Sequence, residues 1–198
     1  MRHTVSILTS ITLLTGLIAC GNSEEGAWAT VAAADLDAAQ TAQLESASGA
    51  RNALMKGLMG ELMGSIQTSG PSGAIDVCSD LAPRLAKEIG TEHGLTIGRT
   101  STKLRNPSNA APEWAASVIE ELGPPEKEVT VAHTDGRLGT LSPIFVMPAC
   151  LACHGSADEL GPGVGEALAK SYPDDHAMDY AAGDLRGWFW VEVPAPKN

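Results

Sequence analysis

The sequence predicts an α+β fold, with helices first and mostly antiparallel strands after them. Two observations carry this. Apolar residues recur at helical spacing through the first half, and short strand-like runs bracketed by turn residues fill the second. The 198 residues suit one folded domain with a core large enough to be stable.

The first twenty residues have the form of a targeting segment. Arg2 and His3 make a polar start, and Val5 to Ile18 is apolar but short of the roughly 20 residues a membrane span needs. The run ends in Leu17-Ile18-Ala19-Cys20-Gly21, which resembles a bacterial lipoprotein signal. Residues 1–19 are therefore expected to be a signal peptide, with Cys20 lipidated as the mature N-terminus. The expected location is the periplasm or the outer face of a bacterial membrane, held there by acyl chains alone. Residues 20–35, rich in Ala, Gly, Ser and Glu, are expected to form a flexible tether of roughly 20 Å reach. Residues 36–198 are left as the folded domain.

The domain opens on a long helix over 36–67, where Leu44, Ala47, Leu54, Leu58, Leu62 and Ile66 fall at helical spacing. Met55, Met59 and Met63 run beside them and suit core more readily than a cofactor wall. Gly57, Gly60 and Gly64 are soft points. After the turn Ser69-Gly70-Pro71-Ser72-Gly73, a second helix is expected over 73–90. It would carry Ile75, Cys78, Ala82, Leu85 and Ile89 on one face, with Pro83 kinking it and Gly90 capping it. Residues 95–111 are polar and without period, which predicts an ordered loop. A third helix over 112–122 starts on Pro112 and stops at Gly123-Pro124-Pro125. Strands follow over 128–133 and 137–146, joined by a turn at Asp135-Gly136. A short helix near 164–171 and a last strand over 187–193 complete the set, and no internal repeat is visible.

At 43% hydrophobic and 19% charged, the composition is that of a globular protein. The net charge of −11 argues against nucleic acid and anionic membrane surfaces, and suits a basic partner.

The chemistry concentrates in Cys150-Leu151-Ala152-Cys153-His154. Cys-x-x-Cys-His is the attachment signature of a c-type haem. Two thiols three positions apart form thioethers with the two vinyl groups of one porphyrin, and the next residue, His154, is held under the iron as a ligand. One covalent haem c is expected. A redox-active disulfide is the rival for the two cysteines, disfavoured by the histidine and by the absence of a βαβ context. A structural zinc site needs a second ligand pair of similar spacing. Of the chain's four cysteines, lipid accounts for Cys20 and haem for two, leaving Cys78. From residues alone the second iron ligand stays open among Cys78, Met147, His93, His133, His176 and an empty position. Arg99, Lys103 and Arg105 form the basic cluster of an acidic chain, suited to the two haem propionates, with a solvated loop as the plain alternative. Asp184 and Arg186 look like a structural pair at a turn.

Several passages together resemble a known family: Val77-Cys78-Ser79, Gly98 to Asn109 with Pro112 and Trp114, Pro148 to Gly155, Tyr172-Pro173, and Gly183 to Gly187. They are similar to the exported single-haem c-type family with a PAS-like domain (DUF3365-type), over roughly residues 45–193. The resemblance implies helices packed on a PAS-like antiparallel sheet with a haem-bearing loop. It also implies iron held by His154 on one side and Cys78 on the other. For this family redox sensing and electron transfer are both proposed. The resulting expectation is a membrane-tethered, exported monohaem protein acting as a redox sensor, or alternatively as a carrier passing electrons to a membrane or periplasmic redox protein. Peroxidase-type catalysis needs an open iron and distal acid–base groups, which the sequence does not announce, so no enzyme is expected.

Overall fold

The computed structural model describes residues 27–197 apart from residue 76, and of Cys78 it describes the backbone alone. The signal segment, Cys20 and the start of the expected tether lie outside the described residues.

The fold is α+β. Five strands, β1 (Trp28–Thr30), β2 (Thr96–Thr100), β3 (Val129–His133), β4 (Leu138–Phe145) and β5 (Leu185–Val193), form one antiparallel sheet in the order β1-β3-β4-β5-β2. The β3–β4 hairpin turns at Asp135-Gly136, where Gly136 has φ +93°. Period-two alternation gives the sheet two apolar faces. Leu138, Phe189, Val191, Val193 and Ile97 point to one, where they pack on Ala47, Ala50, Leu54 and Leu58 of helix α1 (Ala38–Gly73) and on Ala82 and Ile89 of helix α2 (Ala82–His93). Val131, Leu141 and Trp188 point to the other, against Trp114, Ala115 and Val118 of helix α3 (Glu113–Leu122). Gly139 and Gly98 leave room on this second face. A Cβ on Gly139 would stand 3.0 Å from the Trp114 ring, and one on Gly98 would stand 2.5–2.8 Å from the indole of Trp190.

Helix α1 starts where a reciprocal cap allows. Asp37 accepts a hydrogen bond from the Gln40 amide (2.8 Å), and the Gln40 side chain accepts one from the Asp37 amide (3.0 Å). It runs past the expected end at residue 67 and bends at Gly70, whose φ of +73° breaks the helical path before Pro71. The expected second helix is two pieces. Val77–Leu81 is a π-helical turn, and α2 begins after it with Pro83 in its first turn. There the missing N–H of Pro83 costs nothing, so the proline starts a helix rather than kinking one. The left-handed cap is Gly94 (φ +66°), not Gly90, which is buried within α2.

Two further expectations change. Residues 96–100 form an edge strand paired with β5, not part of a loop. Residues 28–30, expected in a flexible tether, form edge strand β1, with Trp28 stacked on Trp114 at 5.2 Å between ring centroids. A three-residue strand held by one stacked indole leaves no period to detect. No helix among the described residues is long and apolar enough to cross a membrane.

Candidate functional site

Where the end of β4 meets the start of β5 the ladder shifts register. Gly187 (φ +153°) sits beside a register shift at Ile144/Phe145, and a Cβ there would run into the carbonyl oxygen of Thr100. A cavity of about 410 Å³ lies beside this irregularity, within the range of about 300–1,000 Å³ typical of small-molecule and cofactor sites. Helix α1 supplies one wall through Met55, Leu58, Met59, Leu62 and Ile66. Met55 and Met59 are 47% and 37% exposed, so these methionines are cavity wall and not the core their spacing suggested.

The loop after β4 brings Cys150, Cys153 and His154 to the same cavity on a 3₁₀ turn (Pro148–Cys150) running into helix α4 (Leu151–His154). The loop is seated on both sides. Cys150 and Leu151 pack against Val146, Ala177 and Tyr180. Cys153 packs with Ile75 and with Val164 and Leu168 of helix α5 (Val164–Ser171). Backbone bonds from Asp179 N to Gly155 O (3.1 Å) and Tyr180 N to His154 O (3.0 Å) fix its end.

His154 has one nitrogen committed. Its Nδ1 lies 2.8 Å from Ala177 O; a carbonyl only accepts, so Nδ1 carries the proton and donates. Burial, and then the charges of Arg105 and Arg186, push the imidazole pKa from 6.5 down to about 3, which keeps the ring neutral at neutral pH. In a neutral ring with Nδ1 protonated, Nε2 carries a lone pair available to a metal. Among the described residues no group of three or more His, Cys, Asp or Glu side chains is placed to hold a metal ion.

The expected basic cluster divides. Arg99 lines the cavity. Lys103 does not reach it; its ammonium donates to Met178 O (3.2 Å) and sits 4.8 Å from the centroid of the Tyr180 ring. Arg105, only 7% exposed, lies at the cavity but spends its donors inside the protein. Nε pairs with Asp175 (2.9 Å), and Nη2 donates to Cys153 O (2.6 Å) and Ala177 O (3.2 Å). Lys103 is thus directed to Met178 O and the Tyr180 ring, while Arg105 stands at the cavity with its Nε and Nη2 held by protein partners.

Arg186, expected to pair structurally with Asp184, faces the cavity instead, while Asp184 accepts from the Ala181 amide (2.8 Å) in its own turn. The Arg186 guanidinium donates to Lys103 O (3.2 Å) and lies 5.4 Å from the centroid of Tyr180. Burial pulls its pKa below the ordinary arginine range, and among the described residues no carboxylate stands at ion-pair distance from it. Its position directly before Gly187 was the available sequence signal. Tyr180 and Asp175 carried none, because the contacts that bring them to the site, Tyr180 with His154 and Asp175 with Arg105, join residues more than 20 apart in sequence.

Ala74, Ile75, Val77 and Ala82 also line the cavity, so the turn carrying Cys78 borders it, while the Cys78 side chain lies outside what is described. Of the other ligand candidates, Met147 lines the cavity, whereas His93, His133 and His176 are not among its lining residues. His133 stacks on Trp28 (4.9 Å) and pairs with Asp135 (2.7 Å).

The family model described as Tll0287-like (Tll0287) matches residues 24–194. Among solved structures, the "crystal structure of the cyanobacterial heme-protein Tll0287" is similar, with a TM-score of 0.60 and 21% identity over 79% of this chain and 98% of that chain. At that identity the likeness concerns the fold alone. No curated protein matches.

Proposed function

The chain belongs to the Tll0287-like family, and from that premise we propose that it is an exported, membrane-tethered protein carrying one covalent haem c and acting as a redox sensor, without catalytic turnover. The observation that carries this reading is the convergence of Cys150, Cys153 and a neutral His154, with Nε2 as its unprotonated nitrogen, on one cavity walled by methionine and leucine. The relative of similar fold is itself named a haem protein. The haem supplies a one-electron ferric–ferrous couple.

Each residue then has a task. Cys150 and Cys153 tether the porphyrin through its vinyl groups. His154 is an iron ligand, its ring fixed by Ala177 O. Arg186 and Arg99 meet the propionates, a role that also relieves the buried charge of Arg186. The α1 face from Met55 to Ile66 excludes water. Cys78, as the family resemblance implies, would supply a thiolate as the other ligand, and a thiolate favours the ferric state and a low potential. The π-helical turn holding Cys78 is a geometry common at functional sites, and a change of ligation at Cys78 would be passed on through this turn to α2.

Plain electron transfer is the second reading. Phe145 and Met147, 43% and 48% exposed at the rim of the cavity, favour it by leaving an apolar edge of the site open for electron exchange.

The test is absorption spectroscopy of the mature protein made with c-type haem maturation. Haem is expected to stay with the wild-type chain through denaturation and to be lost from Cys150→Ala/Cys153→Ala. Cys78→Ala is expected to shift the ferric spectrum out of the low-spin thiolate form. A ligand set that changes on reduction supports the sensor; one that is unchanged, with fast electron exchange, supports the carrier. Wild-type protein without covalent haem overturns both.

A further inference from the structure

Arg105 was expected at the propionates and is found behind His154. Its guanidinium and the Asp175 carboxylate form an ion pair (2.9 Å), with the two side chains 7% and 9% exposed, and both partners hold the same short stretch of backbone. Asp175 Oδ1 accepts from Ala177 N (2.7 Å), and Arg105 Nη2 donates to Ala177 O (3.2 Å). Ala177 O also accepts the Nδ1 proton of His154 (2.8 Å). A second bond from Arg105 Nη2, to Cys153 O (2.6 Å), fixes the residue before His154. One buried pair therefore anchors the histidine's hydrogen-bond acceptor and the loop carrying the histidine.

We propose that Arg105 and Asp175 are a positioning pair that sets how strongly His154 donates to iron, an inference that rests on haem binding at the cavity. The carbonyl oxygen of Ala177 serves two donors. Arg105, being charged, draws electron density from that oxygen and makes it a poorer acceptor for the His154 proton. A weaker acceptor leaves the imidazole less anionic, and a less anionic ligand favours ferrous over ferric iron. Asp175 acts in the opposite sense, by neutralising Arg105 and by holding the Ala177 amide.

The two halves of the pair therefore predict changes of opposite sign, which loss of structure alone does not produce. Arg105→Gln strengthens the carbonyl as an acceptor and leaves Asp175 uncompensated. Its ferric-to-ferrous ratio at a fixed ambient potential rises about tenfold, a downward shift of about 59 mV for a one-electron couple. Asp175→Asn leaves Arg105 uncompensated, and the ratio falls by a similar factor.

The experiment is a spectroelectrochemical titration of wild type and both variants as haem-loaded full chains. The iron–histidine stretch is read by resonance Raman in the ferrous state, where it rises for Arg105→Gln and falls for Asp175→Asn. Shifts of the same sign, or both below twofold, overturn the proposal. Where Arg105→Gln does not take up haem, Asp175→Asn decides alone: a rise in potential supports the pair, and no change or a fall overturns it. Failure of the underlying haem reading is visible separately, as wild-type protein that carries no covalent haem.

Discussion

Asp135 accepts a hydrogen bond from the Arg137 amide (3.0 Å), and this backbone contact, reinforced by the His133 and Arg137 side chains, brings its pKa from 3.8 down to about 2. The unfolded carboxyl keeps its ordinary value near 3.9. A carboxylate depressed in the folded state contributes stability above the unfolded value and loses it as pH falls through the folded one. The β3–β4 hairpin should therefore weaken between about pH 4 and pH 2, and Asp135→Asn should flatten that part of the profile. Urea midpoints at pH 7, 4 and 2.5 measure it; equal slopes for variant and wild type would count against the assignment. Arg105 shows where residue-scale inference from sequence stops. Its charge and the chemistry that suits it are local properties, but the acceptors that claim it, Asp175 and two carbonyls, are brought near only by folding. Cys150, Cys153 and His154 stand out in the sequence because their spacing is a local feature that folding does not alter, and the structure brings all three to one cavity.

At the scale of elements, helix α1 depends on its start more than its composition suggests. Its apolar residues are distributed between the sheet core and the cavity wall, so no single stripe holds it. The reciprocal Asp37–Gln40 cap satisfies donors that would otherwise be orphaned. Asp37→Ala should cost about 1 kcal/mol in chemical denaturation, and an unchanged stability would mean that the cap is redundant. The elements that sequence recovered, namely α1, α3, α5, the β3–β4 hairpin and β5, have apolar periodicity or strong turn residues. Those it missed do not. Strand β2 reads Thr-Ile-Gly-Arg-Thr, with one buried aliphatic residue, and becomes a strand because β5 offers it a ladder. The π-helical turn was invisible for a related reason. The helical period continues across it, and the extra residue per turn shows only as a change of backbone bonding.

In the whole molecule, the last strand in sequence lies between two earlier ones. β5 pairs with β4 on one side and β2 on the other, so it joins the half of the sheet that leads into the Cys150–His154 loop to the half carrying Arg99. Removing residues 185–193 is expected to abolish cooperative thermal unfolding altogether, seen as loss of a single sharp transition by circular dichroism. A truncated protein that still melts cooperatively would show that the remaining layers fold without it. The strand order also sets a timetable. His154 precedes the end of β5 by roughly 40 residues, which take about 2–8 s to synthesise at the usual 5–20 residues per second. Through that interval Arg186, Gly187 and Phe189 do not yet exist, and the cavity has no wall on their side. Whatever occupies the cavity, its side formed by Arg186, Gly187 and Phe189 closes only when the final strand arrives.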